Sequence, residues 1–148
     1  MAEESDQLRV RLVTPERTLF EHAAVAVELP AKSGYMEVLF GHAPLMAELG
    51  AGEVIVHGGA DAGVSSAADS VSRYNVSWGF VEVLPDRVTI LASDALKPEE
   101  ISVDRAEEQL VRGQKMWNEA GESEDAYTDA LRVIAEAEAK LATAAEKQ

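Results

Sequence analysis

The sequence predicts a β-sandwich N-terminal domain followed by a C-terminal antiparallel α-helical hairpin. Up to about residue 92, short apolar segments alternate with turns that contain Gly or Pro, a pattern typical of an antiparallel sandwich or barrel. After residue 96 the apolar residues recur at helical spacing instead. We therefore expect two domains, residues 1–96 and residues 97–148.

The first apolar segment shows the period of a half-buried strand most clearly. Leu8, Val10 and Leu12 alternate with Arg9 and Arg11, so one face of the strand would be apolar and the other charged. Segments of similar length predict further strands over 18–20, 23–29, 35–40, 45–49, 54–57, 71–78, 80–84 and 88–91.

Between these strands the turn residues predict two further features. Pro30 is expected to end the apolar run 23–29. Residues 58–70 are rich in Gly, Ala and Ser, which indicates a flexible surface loop that is long for a hairpin connection.

Two helices joined by a short turn are predicted in the second domain. Ser102 and Ser123 are candidate N-caps, and Gly121 is a candidate stop. Gly113 would weaken the first helix by about 1 kcal/mol relative to alanine. The apolar stripes are thin and rich in alanine, which indicates the weak docking that a mobile element needs. They consist of Val103, Ala106, Leu110 and Trp117, and of Tyr127, Ala130, Leu131, Ile134 and Leu141.

Composition limits the classes of partner. The net charge is −14, it is shared by both domains, and there is no basic stripe, so nucleic acid is not expected to bind. Without cysteine the chain forms no disulfides. No apolar run approaches the roughly 20 residues that span a bilayer, so we expect no direct membrane insertion. The acidic residues 1–7 resemble neither a secretory signal nor a transit peptide.

No catalytic constellation or metal site is expected. His22, His42 and His57 lie on three different predicted segments without ligand-like spacing, as ordinary surface or turn histidines do. The sequence contains no P-loop, Rossmann glycine pattern or nucleophile elbow, and its carboxylates are scattered. Trp78 and Trp117 are expected in the core or in an interface. These residues predict a non-catalytic binding or regulatory protein.

Five segments, in order along the chain, carry a resemblance to a known family. They are Leu-Val-Thr-Pro-Glu-Arg at 12–17, Gly-His-Ala-Pro-Leu at 41–45, Gly-Phe-Val-Glu-Val at 79–83, Val-Thr-Ile-Leu-Ala at 88–92, and Ile-Ser-Val-Asp-Arg-Ala-Glu at 101–107. The series resembles the signature segments of F-type ATP synthase epsilon subunits of the bacterial and plastid type, and it covers nearly the whole chain.

The resemblance implies a non-catalytic subunit of the central rotor stalk. The sandwich would bind the gamma subunit and the ring of c subunits, and would help couple proton translocation to ATP synthesis. The hairpin would reach the catalytic alpha and beta subunits transiently and suppress ATP hydrolysis. As part of the ATP synthase, the protein would be peripheral at the cytoplasmic face of the bacterial cell membrane.

Departures from the family pattern identify candidate contact residues. A glycine usually stands at the position of Trp78, and a proline at that of Phe40. We therefore expect partner contacts from Trp78 and Phe40, and from Gly41 and His42 of the neighbouring signature segment. The basic residues of the second helix available to a catalytic subunit include Arg132 and Lys140.

Some relatives bind ATP through a motif at the start of the hairpin. Ile101, Arg105 and Ala106 match this motif, but Ser102 replaces its aspartate. A serine caps a helix as well as an aspartate does, yet it carries no charge. We therefore favour a structural or partner contact for Arg105 over regulatory ATP binding, and no other cofactor is expected.

Two other classes of function stay open at this stage. A free-standing protein-binding module, whose hairpin dimerises, would have no reason to bind a gamma subunit. A small hydrolase using scattered carboxylates would show a pH-dependent activity that is lost when one acid is replaced. The ordered resemblance favours the rotor-stalk subunit over both.

Overall fold

A computed structural model describes residues 7–58 and 70–146. The chain divides into two compact units, Met1–Leu96 and Lys97–Gln148. The first unit contains the strands β1 Leu8–Val13, β2 Thr18–Ala24, β3 Ala26–Ala31, β4 Gly34–Leu39, β5 Leu45–His57, β6 Val71–Leu84 and β7 Arg87–Leu96. The second contains a 3₁₀ turn at Pro98–Glu100 and the helices α1 Val103–Glu119 and α2 Glu124–Glu146. The predicted β-sandwich followed by a helical hairpin is confirmed.

The strands form one sheet around a single core, in the order β2-β1-β7-β6-β5-β3-β4. All neighbouring pairs are antiparallel except β1 and β7. In β1, Leu8, Val10 and Leu12 are fully buried while Arg9 and Arg11 are exposed, as their alternation predicts. Residues from all seven strands join this core, which lies entirely within the first unit.

Several of the predicted strand boundaries are wrong. Segments 71–78 and 80–84 belong to the single strand β6. Segments 45–49 and 54–57 belong to the single strand β5, whose pairing with β6 runs from Leu45 to His57. The run 23–29 is divided between β2 and β3 by a bend at Val25. Pro30 lies inside β3, where the register with β5 shifts between Glu28 and Ala31. Because pairing with β5 is interrupted there, the missing N–H of proline removes no hydrogen bond to that strand.

The backbone of β6 has an irregular geometry at its centre. Trp78 has a φ of 59° and Gly79 a φ of 126°, both in the region that favours glycine. The core-facing residue before this point is Val76, and those after it are Val81 and Val83, so the inward face changes from even to odd numbers. A Cβ on Gly79 would lie 2.0 Å from the carbonyl oxygen of Leu91 on β7. Only glycine therefore allows β6 to change its inward face while it stays paired with β7.

The loop predicted over 58–70 lies mostly outside the described residues, as does the acidic segment 1–7. Its two ends are described. The N–H of Gly58 donates a hydrogen bond to the carbonyl oxygen of Ser70 at 2.8 Å, which continues the pairing of β5 with β6 by one more step.

Both helices begin as predicted, and the first ends as predicted. The Ser102 hydroxyl accepts a hydrogen bond from the N–H of Arg105 at 3.3 Å, and the Ser123 hydroxyl accepts one from the N–H of Ala126 at 3.1 Å. Gly121, which follows the end of α1, has a φ of 62°. Hydroxyl caps and a left-handed glycine satisfy backbone groups that a helix leaves unpaired at its ends.

The two helices pack through small residues that recur every seven positions. The buried residues of α1 and its C-cap are Ala106, Gly113 and Ala120, and those of α2 include Ala130, Ala137 and Ala144. We call these six residues the small-residue seam. A repeat of seven keeps one narrow face of each helix toward the other, and small side chains let the two backbones approach closely. The larger residues Val103, Trp117 and Leu131 of the predicted stripes are instead 41%, 42% and 53% exposed.

Replacing Gly79 by alanine should destabilise the sandwich more than replacing Gly34, a matched glycine. Gly34 has a similar φ of 138°, but a Cβ there would meet no atom within 4 Å. Gly34→Ala should therefore cost only the backbone strain, about 1–3 kcal/mol. Gly79→Ala adds the clash with Leu91 and should cost at least about 2 kcal/mol more. Urea unfolding of both variants measures the difference, and equal losses would contradict the assigned role of Gly79.

Replacing Gly113 by alanine should lower the melting temperature of the hairpin. Alanine would gain about 1 kcal/mol of helix propensity. Its Cβ would, however, lie 2.7 Å from Cγ1 of Ile134 and 3.2 Å from the backbone nitrogen of that residue. Overpacking of this kind costs about 1–3 kcal/mol.

Thermal unfolding of the full chain, followed by circular dichroism at the helix band, tests this balance. Lys115→Ala is a suitable control, because Lys115 is exposed on the same helix and both residues favour helices. A Gly113→Ala variant that melts higher than the parent would show that close packing at the seam is not required.

Candidate partner-binding surfaces

The turn between β4 and β5 presents three of the predicted contact residues together. Phe40 is 40% exposed, and Gly41 and His42 follow it at the surface. The N–H of Gly41 donates to the carbonyl oxygen of Pro85 at 2.7 Å, and the N–H of His42 donates to that of Leu39 at 3.1 Å. These bonds fix the turn against the β6–β7 connection, so Phe40 and His42 are held in place at one end of the sandwich.

A second exposed surface lies on the outward face of the sheet beside this end. Met46, Phe80 and Leu91 are 66%, 52% and 52% exposed. Phe80 lies directly opposite Leu91 in the β6–β7 pair, and Met46 lies opposite Glu82, two residues further along β6. The three side chains are therefore neighbours on one face of three adjacent strands. We call them the outer apolar row.

Acidic residues border the outer apolar row. Glu48 lies directly opposite Phe80, and Glu82 lies opposite Met46. Lys32 forms an ion pair with Glu48 at 3.2 Å.

On the opposite side of the row, the exposed Arg11 lies beside Thr89, the partner of Glu82. The border therefore carries charges of both signs around an apolar centre, and such a surface is suited to a partner that is apolar at its centre and polar at its edge.

Trp78 does not join the other predicted contact residues. It is half-buried at the centre of β6, six residues before Leu84. Six residues of strand span about 20 Å, so the Trp78 backbone lies far from the turn that holds Phe40. The φ of 59° explains in physical terms why glycine suits this position, because a bulky side chain is strained there.

At the start of the hairpin, the residues of the ATP motif have structural roles. Ser102 caps α1, and Ala106 is buried in the small-residue seam. Ile101 is half-buried, and Arg105 is exposed. Of the residues that match the motif, Arg105 alone therefore presents a fully exposed side chain.

The two basic residues predicted to contact a catalytic subunit differ in their surroundings. Arg132 is exposed on α2. Lys140 is largely buried, and its Nζ lies 3.2 Å from Oε1 of Glu136, one helical turn before it. Eight residues along a helix correspond to about 12 Å, so Arg132 and Lys140 do not form one compact basic patch. The charge of Lys140 is already partly balanced by Glu136.

Relatives of this chain share one name. Residues 7–98 match the family model described as ATP synthase, Delta/Epsilon chain, beta-sandwich domain. The ATP synthase epsilon chain of Solibacter usitatus is 37% identical over 142 residues, which are 96% of this chain and 98% of that one. This chain belongs to the ATP synthase epsilon family. The epsilon chain of Koribacter versatilis is 38% identical over 118 residues, 79% of this chain and 76% of its own length.

Solved structures show the same fold. A chain of the Euglena gracilis mitochondrial ATP synthase, from a structure of its OSCP, F1 and c-ring parts, superposes with a TM-score of 0.73. The superposition covers 93% of this chain and 81% of the Euglena chain, and the two are 19% identical in sequence.

Membership of the epsilon family makes this chain a non-catalytic subunit of an ATP synthase. Its partners are accordingly other subunits of that complex. Among the described residues, no helix is long and apolar enough to cross a membrane. The outer apolar row and the Phe40–His42 turn are two exposed features of its sandwich.

The sequence alone did not identify the outer apolar row. Phe80 and Leu91 are separated by a turn and belong to two different signature segments. Only the register of β6 against β7 places them side by side on the outward face. The sequence does contain one signal of this surface: each of the two strands has an apolar residue at a position that its alternation assigns to the outward face.

Substitutions of Ser102 should show how much its helix cap contributes to the stability of the hairpin in the absence of nucleotide. Ser102→Ala removes the hydroxyl that accepts from Arg105 N–H and should cost about 0.5–2 kcal/mol of hairpin stability. Ser102→Asp keeps an acceptor and should leave the stability close to that of the parent. Thermal unfolding of the three proteins without nucleotide is the measurement, and an unchanged Ser102→Ala variant would contradict the capping role.

Proposed function

We propose that this chain is a central-stalk subunit that couples proton translocation through the c ring to ATP synthesis. Its sandwich binds the gamma subunit and the c ring, and its hairpin restrains ATP hydrolysis. The observation that carries this proposal is the outer apolar row, three large apolar side chains exposed together on a rigid sheet.

The outer apolar row is assigned to the gamma subunit. Complete burial of one large apolar side chain contributes about 1.5–3 kcal/mol, so three neighbours can form the centre of a stable interface. Glu82 at the border of the row favours a basic residue on the facing surface. Because the strands already hold the row in place, association would cost little conformational entropy.

The Phe40–His42 turn is assigned to the c ring. Its two backbone hydrogen bonds to Pro85 and Leu39 make it a firm projection at the end of the sandwich. A rotating subunit that transmits torque needs rigid contacts. A turn that is held by backbone hydrogen bonds is more rigid than a loop without them. With this contact the chain would be a peripheral subunit at the cytoplasmic face of the bacterial cell membrane.

The hairpin is assigned the regulatory role. The small-residue seam gives it an internal contact surface of its own, so the pair of helices can keep its structure on different surfaces of the complex. Trp117 and Leu131 are exposed beside a shallow groove that Ile134 also lines. These apolar residues, with Arg132, would make the transient contact with the alpha and beta subunits. Arg105 would serve a partner contact rather than ATP binding.

Single substitutions in the outer apolar row should weaken binding to the gamma subunit without unfolding the sandwich. Phe80→Ser and Leu91→Ser should each raise the dissociation constant at least about tenfold, which corresponds to 1.4 kcal/mol. Their stability should change by no more than about 0.5–1 kcal/mol, because both side chains are half-exposed in the free chain.

Val71→Ser is the matched control. Val71 lies on the same strand as Phe80 and is 50% exposed, but it stands at the opposite end of β6. Calorimetric titration with the cognate gamma subunit compares the three variants with the parent. If all four proteins bind gamma with the same affinity, the outer apolar row is not the contact surface.

A further inference from the structure

Three metal-ligating side chains from neighbouring strands meet on the outward face of the sandwich. Glu28 lies on β3, Glu37 on β4 and His57 on β5. One ligand atom from each residue lies within 4.8 Å of the other two. Nε2 of His57 is 2.5 Å from Oε2 of Glu28.

The strand register makes this arrangement a fixed property of the fold. Glu28 lies directly opposite Glu37 in the β3–β4 pair. His57 lies opposite Ala26, two residues before Glu28 on the same face of β3. The adjacent residues Val27, Val38 and Val56 are fully or almost fully buried, so the strand alternation turns all three ligand side chains outward.

The charge of this cluster favours a cation. Two carboxylates that face each other directly across a strand pair repel, and the imidazole of His57, which contacts Glu28, has a ligand nitrogen within 4.8 Å of both. Ile55 of β5 lies between Glu28 of β3 and Arg73 of β6, because it is paired with both. Nη1 of Arg73 lies 3.2 Å from Oε1 of Glu53. The nearest guanidinium on this face is therefore already engaged with another carboxylate.

We propose that Glu28, Glu37 and His57 form a zinc site that joins β3, β4 and β5. One imidazole nitrogen and two carboxylate oxygens are ligands that Zn²⁺ takes at about 2.0–2.2 Å, with water completing the coordination. Nε2 of His57 and Oε2 of Glu28, which are 2.5 Å apart in a hydrogen bond, would separate to roughly 3.4 Å when the ion replaces the proton between them. Glu37 is exposed on the edge strand β4, so its side chain can rotate to bring its oxygen within that distance. The hard cation Mg²⁺ prefers oxygen ligands alone in octahedral geometry and should not compete.

This proposal departs from the expectation that the histidines have no ligand role. Positions 28, 37 and 57 have none of the short spacings by which zinc ligands are found in a sequence. The pairing of β3 with both β4 and β5 brings them together. The site also lies outside the outer apolar row and the Phe40–His42 turn, so it does not depend on the proposed partner contacts.

Binding of Zn²⁺ should stabilise the edge of the sandwich. The ion would cross-link β4, the last strand of the sheet, to its neighbour β3 and to β5 beyond it. A ligand that binds only the folded state raises the melting temperature, and the increase grows with the logarithm of the ligand concentration relative to its dissociation constant. Removal of the ion by a chelator should reverse the increase.

Titration of the full chain with ZnCl₂ and with CoCl₂ tests the proposal. The parent should bind one ion per chain, and Co²⁺ should give the visible absorption bands of a four- or five-coordinate site. His57→Gln and Glu37→Gln should each weaken Zn²⁺ binding at least tenfold and abolish the increase in melting temperature. Glu37 is exposed, so Glu37→Gln keeps the test valid even if the loss of His57 destabilises the fold.

His22→Gln and His42→Gln are the controls. In both residues Nδ1 contacts the carbonyl oxygen of the next residue, at 2.9 Å and 2.7 Å, and neither belongs to the cluster. Both variants should bind Zn²⁺ as the parent does. Binding that the Glu37 and His57 substitutions leave unchanged, or that Mg²⁺ displaces, would assign the ion to general attraction by the acidic chain and overturn the proposal.

Discussion

The close approach of Gly79 to the carbonyl oxygen of Leu91 is the contact on which the sandwich depends. It lets the backbone of β6 change its inward face from Val76 to Val81 without leaving β7. The two parts of β6 can then contribute to the same core. The same step sets which residues face outward after the irregularity, and Phe80 is the first of them. The geometry that closes the core therefore also creates the outer apolar row.

The hairpin is built on a different principle, because it has few large buried side chains. Its helices approach through Ala106, Gly113 and Ala120 on one side and through alanines at the same spacing on the other. Small residues bury little apolar area, so such a pair is only modestly stable, but it leaves Trp117 and Leu131 exposed for other surfaces. This division suits a sandwich that stays bound to the rotor and a hairpin that changes partners.

Local patterns predicted much of this fold, and long-range register accounts for what they missed. The alternation in β1 and the serine caps at 102 and 123 are local signals, and the structure confirms them. The continuity of β5 across Gly50 and Gly52 depends on its partner β6, so two strands were expected where there is one. The pairs Phe80–Leu91 and Glu28–Glu37 likewise exist only through strand pairing. Gly113 was identified as a weak point of its helix, and its fit against Ile134 became visible only with the second helix in place.

The central claim is that the two units divide binding and regulation between them. The most direct test is the rate of ATP hydrolysis by the cognate complex, rebuilt with the full chain or with a chain that ends at Leu96. The shorter chain retains the entire sandwich core, from Leu8 to Ala95. The account predicts that both forms bind the complex and that hydrolysis is faster with the shorter one. Equal rates with both forms bound would contradict a restraining hairpin, and failure of the shorter form to bind would contradict the assignment of partner binding to the sandwich.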